Sequence, residues 1–89
     1  MDTSSAWWLY RSARVMQAIE SQRQEAIPQY RLMASGFPAG SEPWLEARAR
    51  TAQTLRWSND AAAADQLRDL VLATYPKAES QWRLRFEAK

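Results

Sequence analysis

Apolar side chains recur along the first third of the chain with the spacing of an α-helix. On a helical wheel of about 100° per residue, one set of them falls close to a single line. The residues on that line are Trp8, Val15, Ile19, Ala26, Tyr30 and Met33, and Leu9, Met16, Ile27 and Ala34 lie along one side of it. The pattern predicts that this line, with Trp8 on it, forms the buried face of a helix.

The apolar residues before and after Pro28 fall on the same line of the helical wheel. Proline removes one backbone hydrogen bond and clashes with the preceding turn, but a chain that broke completely there would have no reason to stay in register. We therefore expect one long helix over about residues 5–34, kinked near Pro28. The alternative is a break at Ala26–Ile27 followed by a short second helix, because the residue before a proline resists the α conformation.

The remaining chain predicts a loop and three shorter helices. The segment SGFPAGSEP holds both glycines and two of the four prolines, which indicates a loop over 35–41. Apolar periodicity then predicts helices over about 42–57, 60–75 and 77–87. Their expected inward positions are Leu45, Ala49, Ala52, Leu55, Ala63, Leu67, Leu70, Val71, Thr74, Ala78, Trp82 and Phe86.

These elements predict an all-α fold. With 89 residues, the chain has the size of one small helical domain, which we expect to span residues 1–89 as an antiparallel bundle of three to four helices with a long first helix. A core of this size is marginal by itself, so we also expect a homodimer in which the long first helix is shared.

Composition excludes most common catalytic chemistry. The chain contains no cysteine and no histidine, which removes thiolate nucleophiles, the commonest general base and the usual zinc ligands. The carboxylate pairs Asp65 with Asp69 and Glu42 with Glu46 are expected on solvated faces, where nothing separates their pKa values for acid–base work. We therefore predict a protein that is not an enzyme and holds no metal or cofactor.

The sequence also carries no membrane or export signal. No apolar run approaches the roughly 20 residues that cross a bilayer, and no basic segment is followed by an apolar one near the start. We expect a cytoplasmic protein without a membrane partner. The high arginine and alanine content fits a bacterial or phage accessory protein encoded by a GC-rich genome.

The candidate site is the aromatic and basic run WWLYRSAR. Trp7 lies about 100° from Trp8 on the wheel and so falls outside the predicted core line, on the side of Arg11 and Arg14. Because aromatic residues and arginine concentrate the energy of protein interfaces, we predict a partner-binding surface at Trp7, Tyr10, Arg11 and Arg14. The alternative is that Trp7 is covered by the last helix through Trp82 or Phe86.

These observations favour a non-catalytic protein-binding module, such as a small adaptor or an inhibitor that docks on a larger protein of a bacterial host. The alternative function is nucleic-acid binding through the basic last helix, whose candidate contacts are Lys77, Arg83, Arg85 and Lys89. Glu79 and Glu87 dilute the positive charge of that helix, which makes the second function the weaker one.

Overall fold

The structure, a computed structural model, describes the backbone of residues 2–76 and 80–87, and the side chains of all of these except Ser80 and Gln81. Every regular element in these two ranges is helical, which confirms the all-α class. In chain order the elements are α1 (Thr3–Ala18), a short 3-10 turn (Glu20–Gln22), α2 (Arg23–Ala34), α3 (Glu42–Trp57), α4 (Ala61–Thr74) and α5 (Ser80–Glu87).

The predicted long first helix is wrong, because the chain leaves the helical conformation at Ile19. This residue is extended, with φ −96° and ψ 114°, and the 3-10 turn after it leads into a separate helix. Pro28 lies inside α2, in its second turn, where it removes only one intrahelical hydrogen bond. The break therefore falls before Pro28 and before the alternative position at Ala26–Ile27, and the described residues form five α-helices where three to four were expected.

Helices α1 and α2 form an antiparallel hairpin. At the closed end, Nε of Arg23, at the start of α2, donates to the carbonyl oxygen of Gln17, near the end of α1, at 2.8 Å. At the open end, the rings of Trp7 and Phe37 lie 5.3 Å apart. Because the end of α1 meets α2 and the start of α1 meets the residues that follow α2, the two helices run in opposite directions.

Helix α3 is central and contacts α2, α4 and α5. Arg23 at the start of α2 lies over the ring of Trp57 at the end of α3, 5.3 Å from its centroid. Trp44 at the start of α3 packs against Tyr75 at the end of α4, with ring centroids 5.3 Å apart. These end-to-end pairs make α2, α3 and α4 successive antiparallel neighbours.

Two apolar clusters meet along α3. One contains Leu45, Ala49, Ala52, Leu55, Ala64, Val71, Trp82 and Phe86, and the other contains Ala6, Ala13, Ala26, Tyr30, Met33, Ala34 and Ala47. The predicted inward positions of α3 and α5 are confirmed where they are described, and Ala78 lies outside the described residues. On α4, Val71 is buried, but the inward placement of Leu70 and Thr74 is wrong because both are exposed.

The loop between α2 and α3 supports the start of α1. Gly40 has φ +85°, and a Cβ built on it would lie 2.6 Å from Cε1 of Tyr75, so only glycine fits beneath that ring. Earlier in the loop, Phe37 packs against Trp7. The loop therefore positions an aromatic support for the N-terminal half of α1.

Helix α1 packs on α2 mainly through small residues. Its buried positions are Ala6, Ala13 and Gln17, which share one face of the helix. The Cα positions span 33 × 32 × 17 Å, so the molecule is flat, and α1 at its edge packs mainly on α2. No described helix covers the opposite face of α1.

The predicted core line of α1 lies on that uncovered face. Trp8 is 68% exposed, Val15 is 59% exposed and Ile19 is 41% exposed, so their assignment to the core is wrong. In α2 the prediction for the same line is confirmed, because Ala26, Tyr30 and Met33 are buried. The helix is thus rotated by about half a turn from the predicted orientation.

Two substitutions test this orientation. Ala13→Leu should lower the free energy of unfolding by about 2 kcal/mol, because an added isobutyl group must be forced between α1 and α2. Trp8→Ala should change it by less than about 0.5 kcal/mol, because most of the indole already faces solvent. Urea unfolding measures both values, and a larger loss for Trp8→Ala than for Ala13→Leu would contradict the observed orientation.

Candidate functional site

The uncovered side of α1 combines large apolar side chains with arginines. We call it the α1 outer face, and its members are Trp7, Trp8, Arg11, Arg14, Val15, Ala18 and Ile19. All of them except Trp8 line a shallow groove of about 640 Å³, together with Tyr10. Trp8 lines a second hollow of about 340 Å³ that shares Trp7 and Arg11 with the groove. The exposed apolar surface is therefore continuous along α1.

Trp7 is held in place by aromatic contacts and remains partly open. It is 43% exposed, and its ring meets Tyr10 edge-on at 5.6 Å and Phe37 at 5.3 Å. With Trp82 it lines a cleft of about 410 Å³, so the last helix approaches the indole without closing over it. An aromatic ring that is fixed on one side and exposed on the other is suited to contact with a partner.

Arg11 and Arg14 border the apolar surface. The guanidinium of Arg11 lies 5.4 Å from the ring centroid of Trp8, and that of Arg14 lies 5.7 Å from the ring centroid of Tyr10. Among residues 2–76 and 80–87, neither arginine forms an ion pair. Stacking on aromatic rings holds these two charges close to the apolar surface without neutralising them.

Tyr10 connects the α1 outer face to the rest of the protein through Glu46. The Tyr10 hydroxyl donates to Glu46 Oε1 at 3.1 Å, Arg50 Nε donates to the same oxygen at 3.3 Å, and Arg85 forms an ion pair with this carboxylate. Burial alone would raise the pKa of Glu46, but the hydrogen bond and charge of Arg85, with the charge of Arg50, outweigh it and lower the pKa. One carboxylate therefore joins α1, α3 and α5.

Gln17 fixes the other end of α1. Its side chain is buried, accepts a hydrogen bond from the Tyr30 hydroxyl at 2.7 Å, and donates from Nε2 to Gln53 Oε1 at 2.8 Å. Burial raises the pKa of the Tyr30 phenol, which keeps the hydroxyl protonated as a donor. These directional bonds hold α1 in one rotational setting about its axis.

All four predicted partner-binding residues, Trp7, Tyr10, Arg11 and Arg14, line the same groove. The sequence reasoning missed three members of the same surface, Trp8, Val15 and Ile19, because it assigned them to the core. Small residues at positions 6 and 13 were a signal for the packed side of α1, since two alanines permit close approach of a neighbouring helix. The role of Glu46 gave no signal of its own, because its partners come from distant positions in the sequence.

The basic last helix offers less free charge than its sequence indicates. Arg85 is paired with Glu46, and its guanidinium lies 4.9 Å from the ring centroid of Trp82. Arg83 is exposed and donates to the carbonyl oxygen of Pro76. Lys77 and Lys89, the other two predicted nucleic-acid contacts, lie outside the described residues. The described part of this surface thus contains one arginine whose charge is not compensated by a carboxylate.

Three of the four carboxylates that could suggest catalysis, Asp65, Asp69 and Glu46, are engaged in ion pairs. Asp65 lies 2.8 Å from Arg56 Nη2 and 3.3 Å from Arg68 Nη1, and Asp69 lies 3.0 Å from Arg68 Nε. In the described part of the chain, no three acidic side chains come together as a metal site. None of the helices described there is both long enough and apolar enough to cross a membrane.

Comparison of the chain with protein-family models, with curated proteins and with solved structures finds no match. The geometry of the α1 outer face is therefore the basis on which a function can be proposed.

The carboxylate of Glu46 makes a pH-dependent contribution to stability. Because its pKa in the folded protein lies below the ordinary value of 4.5, its stabilising effect is present above that pH and is lost as the pH falls through the folded pKa. Glu46→Gln should lower the free energy of unfolding by about 1–2 kcal/mol near neutral pH and should flatten its decline in acid. Urea unfolding over a pH series measures both effects.

Glu25→Gln is the matched control, because Glu25 is exposed on α2 and forms no ion pair with the described residues. It should leave the unfolding free energy near its original value at neutral pH. An acid decline in Glu46→Gln as steep as that of the original protein would show that Glu46 does not join the three helices as described.

Proposed function

We propose that this chain is a non-catalytic protein-binding module that docks on a larger protein through the α1 outer face. The observation that carries the proposal is the continuous apolar surface of Trp8, Val15 and Ile19, bordered by two arginines that form no ion pair with the described residues. Contiguous exposed apolar surface with a polar border marks interaction sites in folded proteins.

The residue types on this surface indicate a binding interface and not the incidental exposure of single apolar side chains. Leu70 and Leu84 are also exposed, but they lie on separate helices, and single exposed leucines are ordinary in folded proteins. On α1, by contrast, two tryptophans and two arginines lie within three turns, and these are the residue types that contribute most binding energy when a partner covers them.

The rigidity of the surface also supports docking. Tyr10 and Gln17 tie α1 to α3 through side-chain hydrogen bonds, so the outer face is held in one orientation before a partner arrives. A preorganised surface loses little conformational entropy on binding. A module of this kind acts by occupying a site on its partner, as an adaptor or an inhibitor does.

Capture from an extract of the source cells tests the proposal. The original chain should retain a defined protein, and Trp8→Ala with Val15→Ser should lose it by about tenfold or more, because the removed groups form the centre of the apolar surface. Quantitative mass spectrometry identifies the protein, and calorimetry with the purified partner confirms direct binding.

The matched control is Leu70→Ala with Leu84→Ala, which removes two equally exposed apolar side chains from α4 and α5. This variant should bind like the original chain, and circular dichroism should show the same helicity and melting temperature for both variants. Equal capture of the partner by the α1 variant and by the original chain would refute the α1 outer face as the docking site.

A further inference from the structure

We propose that the occupant of the α1 outer face is an acidic amphipathic helix of the partner, with apolar residues on one side and carboxylates along one edge. This inference rests on the proposed protein-binding function and adds the chemistry of the partner. It follows from the shape of the surface, from its charge, and from the unfavourable pairing of this surface with a second copy of itself.

The shape of the apolar surface matches a helix. Trp8 and Val15 on α1 and Ile19 at its C-terminal cap form a ridge, and its ends are about 16 Å apart at a rise of about 1.5 Å per residue. The groove beside the ridge runs along the same helix. A partner helix of three to four turns can lay its apolar side chains along this groove, which is a common mode of peptide recognition.

The charge of the surface specifies the polar edge of that helix. Arg11 and Arg14 lie on the same side of the ridge, less than one turn apart, and no aspartate or glutamate occurs between Thr3 and Ile19. The opposite side carries the small polar residues Ser5 and Ser12. Guanidinium groups bind carboxylates through paired hydrogen bonds. The partner helix therefore needs carboxylates along one edge, spaced by about one turn.

A second copy of this chain fits the same surface poorly. In an antiparallel pair of α1 helices, a twofold axis through the middle of the ridge would bring Arg11 and Arg14 of both copies to the same side, which places four guanidinium groups in one interface. Neither copy supplies a carboxylate from residues 3–19. Like charges placed together in an interface oppose association. Formation of a homodimer through this face would therefore contradict the proposal.

An anionic membrane or a nucleic acid is also less suited to this face. Its apolar ridge is narrow, with Ser5 and Ser12 on one side and two arginines on the other, whereas helices that lie on membranes have a broad apolar side and several basic residues. Two cations provide a small electrostatic attraction to a lipid surface or to phosphates. Both ligands are nonetheless included as arms of the experiment.

Selection from a displayed library of amphipathic helices of about 18 residues tests the proposal. The library keeps one apolar side and varies the flanking positions among Glu, Gln and Lys. Selection on the original chain should enrich Glu along one edge. Selection on Arg11→Glu with Arg14→Glu should enrich Lys at the same positions, because the charge of the surface is reversed.

Purified helices from the first selection should bind the reversed-charge variant about tenfold more weakly or worse, and their affinity for the original chain should fall as salt is raised. Arg31→Glu with Arg83→Glu is the matched control, because it reverses the charge of two exposed arginines on α2 and α5, away from the α1 outer face. It should leave the affinity nearly unchanged.

Several outcomes overturn the proposal. In one of them, the selected helices bind only when Trp8 and Val15 are present and yet show no preference for Glu. That result would refute the acidic partner and leave the protein-binding function intact. Failure to select any helix would refute a helical partner. Binding of the chain to anionic vesicles or to heparin, lost in the reversed-charge variant, would assign the face to those ligands. A dimer in sedimentation that Trp8→Ala with Val15→Ser dissociates would assign it to a second copy.

Discussion

The close approach of α1 to α2 through small side chains is the packing constraint on which the candidate site depends. Ala6 and Ala13 are fully buried, and they leave no space for a larger residue between the two helices. Once these positions face inward, the period of the helix directs Trp8 and Val15 to the opposite side. The exposed apolar surface is therefore a geometric consequence of how the hairpin closes. It also explains why the molecule can be flat: α1 packs mainly on one neighbouring helix and leaves its far side open.

Polar side chains supply the specificity that two alanines cannot supply alone. Gln17 is buried, and its amide forms hydrogen bonds with Tyr30 and Gln53, which restricts the rotation of α1 about its axis. Glu46 has the corresponding role near the start of α1, where it accepts the hydrogen bond of Tyr10. Buried polar groups that are hydrogen-bonded to neighbouring helices favour one arrangement of those helices over others. The outer face thus belongs to a helix whose orientation is fixed at both ends.

The sequence predicted the parts of the fold in which large apolar residues form the core. It failed where the packed face is made of small and polar ones. Leu45 and Phe86 lie in the core as their spacing indicated. On the helical wheel of α1, the largest hydrophobic residues lie on the line through Trp8, so this line was assigned to the interior. In the structure Gln17 faces inward instead. The break at Ile19 could not be found from the helical phase of the apolar residues, because the apolar residues of α2 fall on the same line of the wheel as those of α1. The grouping of Trp7 with its neighbours was predictable, since residues within two turns share a helix surface whichever face is buried.

The absence of cysteine from the chain allows a direct measurement of which side of α1 faces solvent. Single cysteines at positions 6, 8, 13 and 15 can each be labelled with a thiol reagent in the folded protein, and the rates compared with those in urea. We expect Trp8→Cys and Val15→Cys to react in the folded protein almost as fast as in urea. Ala6→Cys and Ala13→Cys should react only as fast as the protein unfolds. Protection at positions 8 and 15 together with rapid labelling at 6 and 13 would contradict this orientation of α1 and the site that depends on it.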